Sequence, residues 1–597
     1  MNDIVDSAAA RVACWRVAQG KEPADLIISG ARLVDVHTGE IYPADVAIKG
    51  PRIAATGDVS YTMGPRTHVY DATGKFLTPA FIEGHIHATG CQVSLTELAK
   101  VLVAHGTTVI CTDLYEAAVV GGLEAMRFCL DELNQTPLRT LLTVGYQMYL
   151  QNEKFGHTGK ISGDDMLACY DWPETVGISE WIYDMVDRND PYVQLLFQRM
   201  LRERRLLVGH AHSYPLPAVQ AYACVNGYSD HEAVSADDAL EKLRRGYKVM
   251  IKQNGAVDFM EPILRLVVER RVNSRYISFS TDHDTPDHLY RRGHLDEQIR
   301  IAIRLGVDPV TAIQMASLNN AEYFRVHDDY GSIAPGKMAD VCVVDALDET
   351  FPVAAVFARG TLVAERYRYT APLEAPAYPA GWQATMKVGK TVALDDVRIG
   401  APSGLQQVRV RVIGCPHPLF RTETRSAVLP VRDGAVQPDL AHDILKVVVF
   451  DRHHGSGRVG KGFVQGVGLR AGAVGASWTP GVEDLTVIGT NDEDIVTAAN
   501  AIVAAGGGFA AARGGRIIGQ VEMPLLGVMA AEPLEVVVEK FERLNAAIAV
   551  ELQAPREVWR PVAFISMPRA IPSLKICCAG LVEVAPGRAE GVGLFLP

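Results

Sequence analysis

His85 and His87 stand two residues apart at the end of an apolar run, in the segment Phe81-Ile82-Glu83-Gly84-His85-Ile86-His87. The preceding stretch, Lys75-Phe76-Leu77-Thr78-Pro79-Ala80-Phe81-Ile82, reads as a buried strand. Residues i and i+2 of a strand share a face, so both imidazoles converge on one point. Neutral imidazole is a common ligand of zinc, iron and manganese. A lone His-x-His reads equally well as two unrelated polar residues at a strand end, and weight comes from what recurs downstream. Glu180 ends the run from Thr175 to Ser179, and His210 follows Arg205 to Gly209. His231 lies in Ser229-Asp230-His231-Glu232, just before a capped helix, and Asp282 follows Tyr276 to Thr281. Together these imidazoles and carboxylates suffice for two divalent cations, with Glu180 able to bridge them. His212 repeats the spacing in Gly209-His210-Ala211-His212 and rivals His210.

Such groups meet only if their strands lie side by side. Residues 79–330 alternate strand and helix. Ser94-Leu95-Thr96-Glu97 predicts a capping box, with Leu95, Leu98 and Leu102 at helical spacing. Gly106 predicts the helix stop, and Thr107-Thr108-Val109-Ile110-Cys111 the next strand. Ser235-Ala236-Asp237-Asp238 starts another helix, Gly246 ends it, and Tyr247 to Ile251 is again a strand. About 250 residues of this repeat suit a (β/α)8 TIM-like barrel, whose chemistry lies at the C-terminal ends of its strands. A doubly wound open sheet is the alternative, but its glycine fingerprint is missing. Gly455-Ser456-Gly457-Arg458-Val459-Gly460 fits G-x-G-x-x-G, yet no helix pattern follows it, as a nucleotide site requires.

The flanks are different. Residues 1–22 suggest a short amphipathic helix. Residues 25–50 and 339–364 are β-rich runs broken by glycine, and together predict a small β-sandwich built from both ends of the barrel. The expected organisation is 1–78 as helix and first sandwich part, 79–330 as barrel, and 331–371 as the returning sandwich part. A proline-rich linker over 372–379 then leads to a C-terminal α/β domain over 385–597.

The chain has 597 residues, 48% hydrophobic and 21% charged, with a formal net charge of −12. An acidic chain with scattered Lys and Arg argues against a nucleic-acid partner. The 10 cysteines follow no C-x-x-C spacing and suit a reducing compartment. No signal-peptide h-region opens the chain, and the apolar stretch 495–512 is interrupted by Asn500 and Gly506-Gly507-Gly508. The expectation is a cytoplasmic protein without a membrane span.

At several landmarks the chain resembles the bacterial adenine deaminases of the amidohydrolase superfamily. These are Gly84-His85-Ile86-His87, His105-Gly106-Thr107-Thr108, Ser229-Asp230-His231-Glu232, Thr281-Asp282 and Ile333-Ala334-Pro335-Gly336-Lys337-Met338-Ala339-Asp340. In the C-terminal region, His453-His454-Gly455-Ser456-Gly457, Gly489-Thr490-Asn491-Asp492 and Pro524-Leu525-Leu526-Gly527 extend the similarity over nearly the whole chain. The resemblance implies deamination of adenine to hypoxanthine and ammonia, by attack of a metal-bound hydroxide at C6. It implies two divalent ions, Mn²⁺ or Fe²⁺ with Zn²⁺ possible, held by His85, His87, Glu180, His210, His231 and Asp282. Asp282 and Glu116 are the expected catalytic carboxylates, and a homo-oligomer is the expected assembly.

The chain departs from the family pattern at identifiable places. Thr89 stands where a Glu is usual, Tyr115 where a His is usual, and His283 in place of the second Asp of a pair. These three are the candidate purine contacts. Trp181-Ile182-Tyr183 follows Glu180 in an altered motif, and Pro480-Gly481-Val482-Glu483 replaces a C-terminal His-Asp-Ser-His. Two competing readings therefore stand beside adenine deamination. One is hydrolysis of another aminopurine, an aminopyrimidine or a cyclic amide of the hydantoin or dihydropyrimidine kind. The other is a non-catalytic purine-binding homologue.

Overall fold

The computed structural model describes residues 8–145, 148–149, 160–181, 190–212, 214–255, 257–416, 422–555, 558–567, 573–585 and 588–597, and the side chains of Glu180 and Trp181 lie outside the description. The central unit begins with strands β1 (Phe81–Glu83), β2 (Thr107–Thr112), β3 (Arg139–Gly145), β4 (Thr175–Trp181) and β5 (Leu206–Gly209). They form one five-stranded sheet in chain order, every pair parallel. Strands β6 (Ser229–Asp230), β7 (Lys248–Lys252) and β8 (Ile277–Ser280) form a second, three-stranded parallel sheet.

Among the described residues the expected barrel is therefore not closed: its eight parallel strands fall into two sheets. No continuous ladder joins the two sheets among the described residues. Each seam carries an isolated parallel bridge instead, Leu207 with Gly227 on one side and Ile86 with Asp282 on the other. Helices separate the strands, as parallel crossovers require. Helix α1 (Leu95–Ala104) follows β1 and α2 (Tyr115–Asn134) follows β2. After β8 come α3 (Pro286–Arg292) and α4 (Leu295–Arg304).

Local signals near α1 act largely as read from the sequence, with one difference. Ser94 Oγ accepts from the Glu97 amide. The reciprocal half of the capping box is not made, because the Glu97 carboxylate instead accepts from Lys100 Nζ at 2.6 Å and from the Leu534 amide at 3.2 Å. Gly106 ends the helix with φ +90°, and a Cβ there would lie 2.6 Å from the Phe81 ring. The turn from α1 into β2 is thus packed directly on β1.

The flanking segments share sheets. Val341–Val344 pairs antiparallel with Phe76–Pro79 in the middle of a seven-stranded sheet. Leu26–Ser29, Asp45–Lys49, Arg52–Gly57 and His68–Asp71 make a four-stranded sheet. Ile28, Val46 and Ile48 of the smaller sheet bury against Leu33, Leu77, Val341 and Phe357 of the larger, forming one core. Among the described residues the N-terminal helix spans Ala8–Ala18, ending before the expected residue 22, and buries only Cys14 and Val17. Residues 1–7 of the anticipated helix lie outside the described residues. The proline-rich stretch is not a free tether, because Tyr378 Oη donates to Glu132 at 2.8 Å and its ring lies against Trp382.

The C-terminal region is built on a nine-stranded sheet. Within it, Ala473–Ala476 and Leu485–Gly489 pair antiparallel, so residues 477–484 form a hairpin loop. This region sits against the central unit: the Ala530 amide donates to Gln92 O at 3.1 Å, and Arg291 of α3 pairs with Glu542. The Gly455-x-Gly457 run leads into strand Val459–Gln465, not a helix, so it has no phosphate-binding geometry. No helix among the described residues is long and apolar enough to cross a membrane.

Candidate active site

His85, His87, Glu180, His210, His231 and Asp282 each lie at or just beyond the C-terminal end of a parallel strand. His85 and His87 follow β1, and their orientation is set by backbone pairing across the seam. The His87 amide donates to Asp282 O and the Asp282 amide to His85 O, both at 2.8 Å. Asp282 adopts φ +64°, an uncommon conformation for a side chain other than glycine. Beneath this join Glu83 is fully buried and accepts from the His85 and Thr281 amides at 2.8 and 3.1 Å, with His294 Nε2 at 3.0 Å. That cross-brace ties β1 to β8.

The outcome is a close-set donor cluster. His85 Nε2 and His87 Nε2 lie 3.3 Å apart, and Asp282 Oδ1 is 3.3 Å from His87 Nε2. A second group joins His210, His231 and Glu232, and a third joins His87, Glu116 and His283; in each the ligand atoms lie within 4.8 Å of one another. His231 stacks on His85 with ring centroids 4.1 Å apart, so the first two groups share one buried centre. His210 falls in the second group, while His212 turns its Nδ1 to Glu232 Oε2 at 2.9 Å. Glu180 belongs to β4, but its side chain lies outside the described residues. Imidazole and carboxylate donors, largely withdrawn from solvent, suit a divalent transition metal. The donor set therefore fits the cations that the sequence implied.

Three participants escaped the sequence reading. Asp113, just past β2, holds His87 Nδ1 at 2.9 Å, the carboxylate–imidazole contact that fixes a ligand's tautomer. Lys252, the last residue of β7, is fully buried and donates to Asp282 Oδ2 at 2.8 Å and to Glu232. Glu232 itself is the third. Lys252 and Asp113 obey the same strand-end rule as the histidines, but a search for ligands passes over a cation and a second carboxylate.

Electrostatics follow from these contacts. Burial would push Asp282 up, but Lys252, His283 and His87 together hold its carboxyl well below the usual range. Burial opposes the Lys252 charge, yet Asp282 and Glu232 outweigh it and raise its pKa. His87 is lowered by burial but raised further by Asp113, with a net upward shift.

The residues expected to touch substrate sit on the side facing the C-terminal region. His283 bridges Asp282 and Glu116, with Nδ1 3.2 Å from Asp282 Oδ1 and Nε2 3.0 Å from Glu116 Oε1. Thr89 Oγ1 donates to Glu116 Oε2 at 2.6 Å. Against the cost of burial, His283, His87 and Thr89 bring the Glu116 pKa down to about 2. Tyr115 points away from this line, its hydroxyl donating to Gly481 O of the C-terminal hairpin at 2.7 Å. The same hairpin brings Trp478 against His283, ring centroids 5.8 Å apart.

Comparison with known proteins agrees with this architecture. The model of the adenine deaminase C-terminal domain matches residues 420–588, and that of the amidohydrolase family matches residues 228–363. An adenine deaminase of Clostridium botulinum (strain ATCC 19397 / Type A) is 34% identical over 592 residues, covering 97% of this chain and 96% of its own. An adenine deaminase of Moorella thermoacetica is 33% identical over 576 residues, 95% of each chain. "Adenine deaminase 3" of Rhizobium meliloti is 34% identical over 573 residues, 95% of this chain and 96% of its own.

Proposed function

Because the chain belongs to the adenine deaminase family, we propose that it is a metal-dependent aminohydrolase converting adenine and water to hypoxanthine and ammonia. The C6–O bond forms, the bond from C6 to the amino nitrogen breaks, and the protons of water are redistributed to the departing ammonia and the purine. The observation that carries this reading is the meeting of His85, His87, Asp282, His210, His231 and Glu232 in one buried centre. Two cations, Mn²⁺ or Fe²⁺ with Zn²⁺ also suited to these donors, would be held by His85, His87 and Asp282 and by His210 and His231. Glu180, at the end of β4, would supply a further carboxylate ligand in this reading. The central unit is then a (β/α)8 barrel, a reading supported by its parallel strands in chain order and the bridges at both seams.

A bound divalent cation supplies a water acidic enough to attack near neutral pH and polarises the reacting centre. The remaining work falls to the chain. Asp282 accepts a proton from the attacking water and passes it to the leaving nitrogen. Lys252 keeps this carboxylate in its ionised, accepting form, so the proton is held only briefly. His283 and Glu116 extend a hydrogen-bonded line from Asp282 toward the heterocycle. That line is suited to delivering a proton to a ring nitrogen as C6 becomes tetrahedral. Thr89 steadies Glu116, and Tyr115 steadies the hairpin over the mouth.

The test is ammonia release from adenine by metal-loaded protein, abolished by chelation and restored by Mn²⁺. Ammonia from a different aminopurine or aminopyrimidine, with none from adenine, would reassign the substrate. Acid released from a cyclic amide would overturn the reaction class.

A further inference from the structure

The hairpin loop 477–484 carries three buried polar atoms without a hydrogen-bond partner among the described residues, Trp478 Nε1, Glu483 Oε1 and Asp484 Oδ1, of which the last lies 3.8 Å from His453 Nε2. Trp478 is 8% exposed and Glu483 is 0% exposed. An indole N–H and a carboxyl oxygen left unsatisfied each cost free energy, and a leucine at either place would avoid that cost. Glu483 also adopts φ +51°, a left-handed backbone unfavourable to a glutamate. Its other oxygen is used locally, Oε2 accepting from the Thr479 amide at 3.2 Å, so Oε1 is the oxygen left over.

The loop is held rigidly where it stands. Tyr115 donates to Gly481 O from the first turn of α2, and His453 Nε2 lies 3.0 Å from Val482 O. Arg452 Nε donates to Glu483 O. Trp478 meets the ring of His283, and the Glu483 carboxyl lies in the field of Glu116 and His283. Burial, with the charge of Glu116 added, pushes the Glu483 pKa up to about 8, so near neutral pH its carboxyl can donate as well as accept.

We propose that Trp478 and Glu483 bind the heterocyclic ring of the substrate, the indole N–H donating to one ring nitrogen and the Glu483 carboxyl hydrogen-bonding another. The C-terminal region thereby completes a site whose metal-holding half belongs to the central unit. This rests on the aminohydrolase reading and adds the groups that discriminate the ring. A site that hydrogen-bonds a ring nitrogen rejects an analogue lacking it far more strongly than a purely apolar pocket does.

The experiment uses metal-loaded full-length protein and the variants Trp478→Phe, Glu483→Leu and Glu483→Gln. Adenine and its 1-, 3- and 7-deaza analogues are compared by titration, and adenine also by steady-state kinetics. For adenine, Trp478→Phe and Glu483→Leu raise Kd and KM by roughly tenfold, and Glu483→Gln recovers most of the loss. One deaza analogue binds the wild type about tenfold more weakly than adenine, and that penalty disappears in Trp478→Phe. Metal content, measured alongside, remains that of the wild type, and the melting temperature does not fall. Adenine turnover by the wild type, with Kd and KM within twofold of it in both variants, would overturn the ring contact and leave the aminohydrolase reading standing. Equal losses for adenine and every analogue would assign the two residues to the fold and likewise overturn the ring contact. A wild type that neither binds nor deaminates any aminopurine would overturn both readings together.

Discussion

At the scale of single residues, Lys252 links the two halves of the metal-binding centre. Its ammonium has no exposure to solvent and reaches both Glu232 and Asp282. Removing one partner of a buried ion pair leaves an uncompensated charge, at a cost of about 3–5 kcal/mol. Lys252→Met is therefore expected to lose stability of that order, read as a lower urea midpoint at constant slope, with Lys252→Arg recovering part of it. An unchanged midpoint would mean that Asp282 and Glu232 are neutralised by something else. His288 gives a second prediction, in pH. Its nitrogens lie 2.9 Å from Asp284 and 2.8 Å from Glu297. Burial works against its charge, but these carboxylates raise its pKa from 6.5 to about 10. A histidine whose pKa is higher folded than unfolded stabilises fully below the unfolded value and loses that contribution as pH rises through the folded one. Stability is expected to decline between pH 6.5 and about 10 by a few kcal/mol. In His288→Gln the same titration should be flatter, and parallel curves for the two proteins would refute the assignment.

At the scale of elements, the turn from α1 into β2 illustrates how helix chemistry serves the site. Gly106 was readable as a helix stop from its place after an apolar periodic run. The closeness of Phe81 and Cys342 behind it was not readable, because both lie on strands brought there by the tertiary fold. An added Cβ would meet the Phe81 ring at 2.6 Å and the Cys342 sulfur at 2.9 Å, at a backbone φ of +90°. Gly106→Ala should destabilise by at least about 1–2 kcal/mol, seen as a lower urea midpoint at constant slope. Since β1 leads directly into His85 and His87, the same variant should also bind metal more weakly. The capping box teaches a related lesson. Ser94 caps as its neighbours dictate, whereas the Glu97 carboxylate is drawn off to the Leu534 amide of the C-terminal region, a partner 437 residues away.

At the scale of the whole molecule, the proposed ligands come from the ends of β1, β4, β5, β6 and β8, so a bound cation ties together both central sheets. Binding that favours only the folded state adds about 4 kcal/mol when ligand exceeds its dissociation constant a thousandfold. Chelation should lower the melting temperature by several degrees as well as stop turnover, and Mn²⁺ should reverse both effects. A melting temperature indifferent to chelator would place the cations elsewhere or nowhere. The C-terminal region packs over the same end of the central unit, through Ala530 to Gln92 and through the hairpin to Tyr115. In our proposal this is why a chain of this length is needed for one small-molecule reaction.

What the amino-acid sequence determined by itself was local and periodic. The spacing of His85 and His87 after an apolar run marks them as partners, although the strand itself ends at Glu83 and pairing with Asp282 sets their orientation. A polar residue closing each apolar run marks where strands end. Helix caps announce themselves within four residues. The tertiary structure alone decided which of these ends would meet and what would stand behind them. Asp113 behind His87, Lys252 between two carboxylates, and the Trp478–Glu483 hairpin above His283 each join residues from separate elements. Charge and hydrogen bonding act through space over a few ångströms, while the chain separates those partners by tens to hundreds of residues, so no local pattern records them.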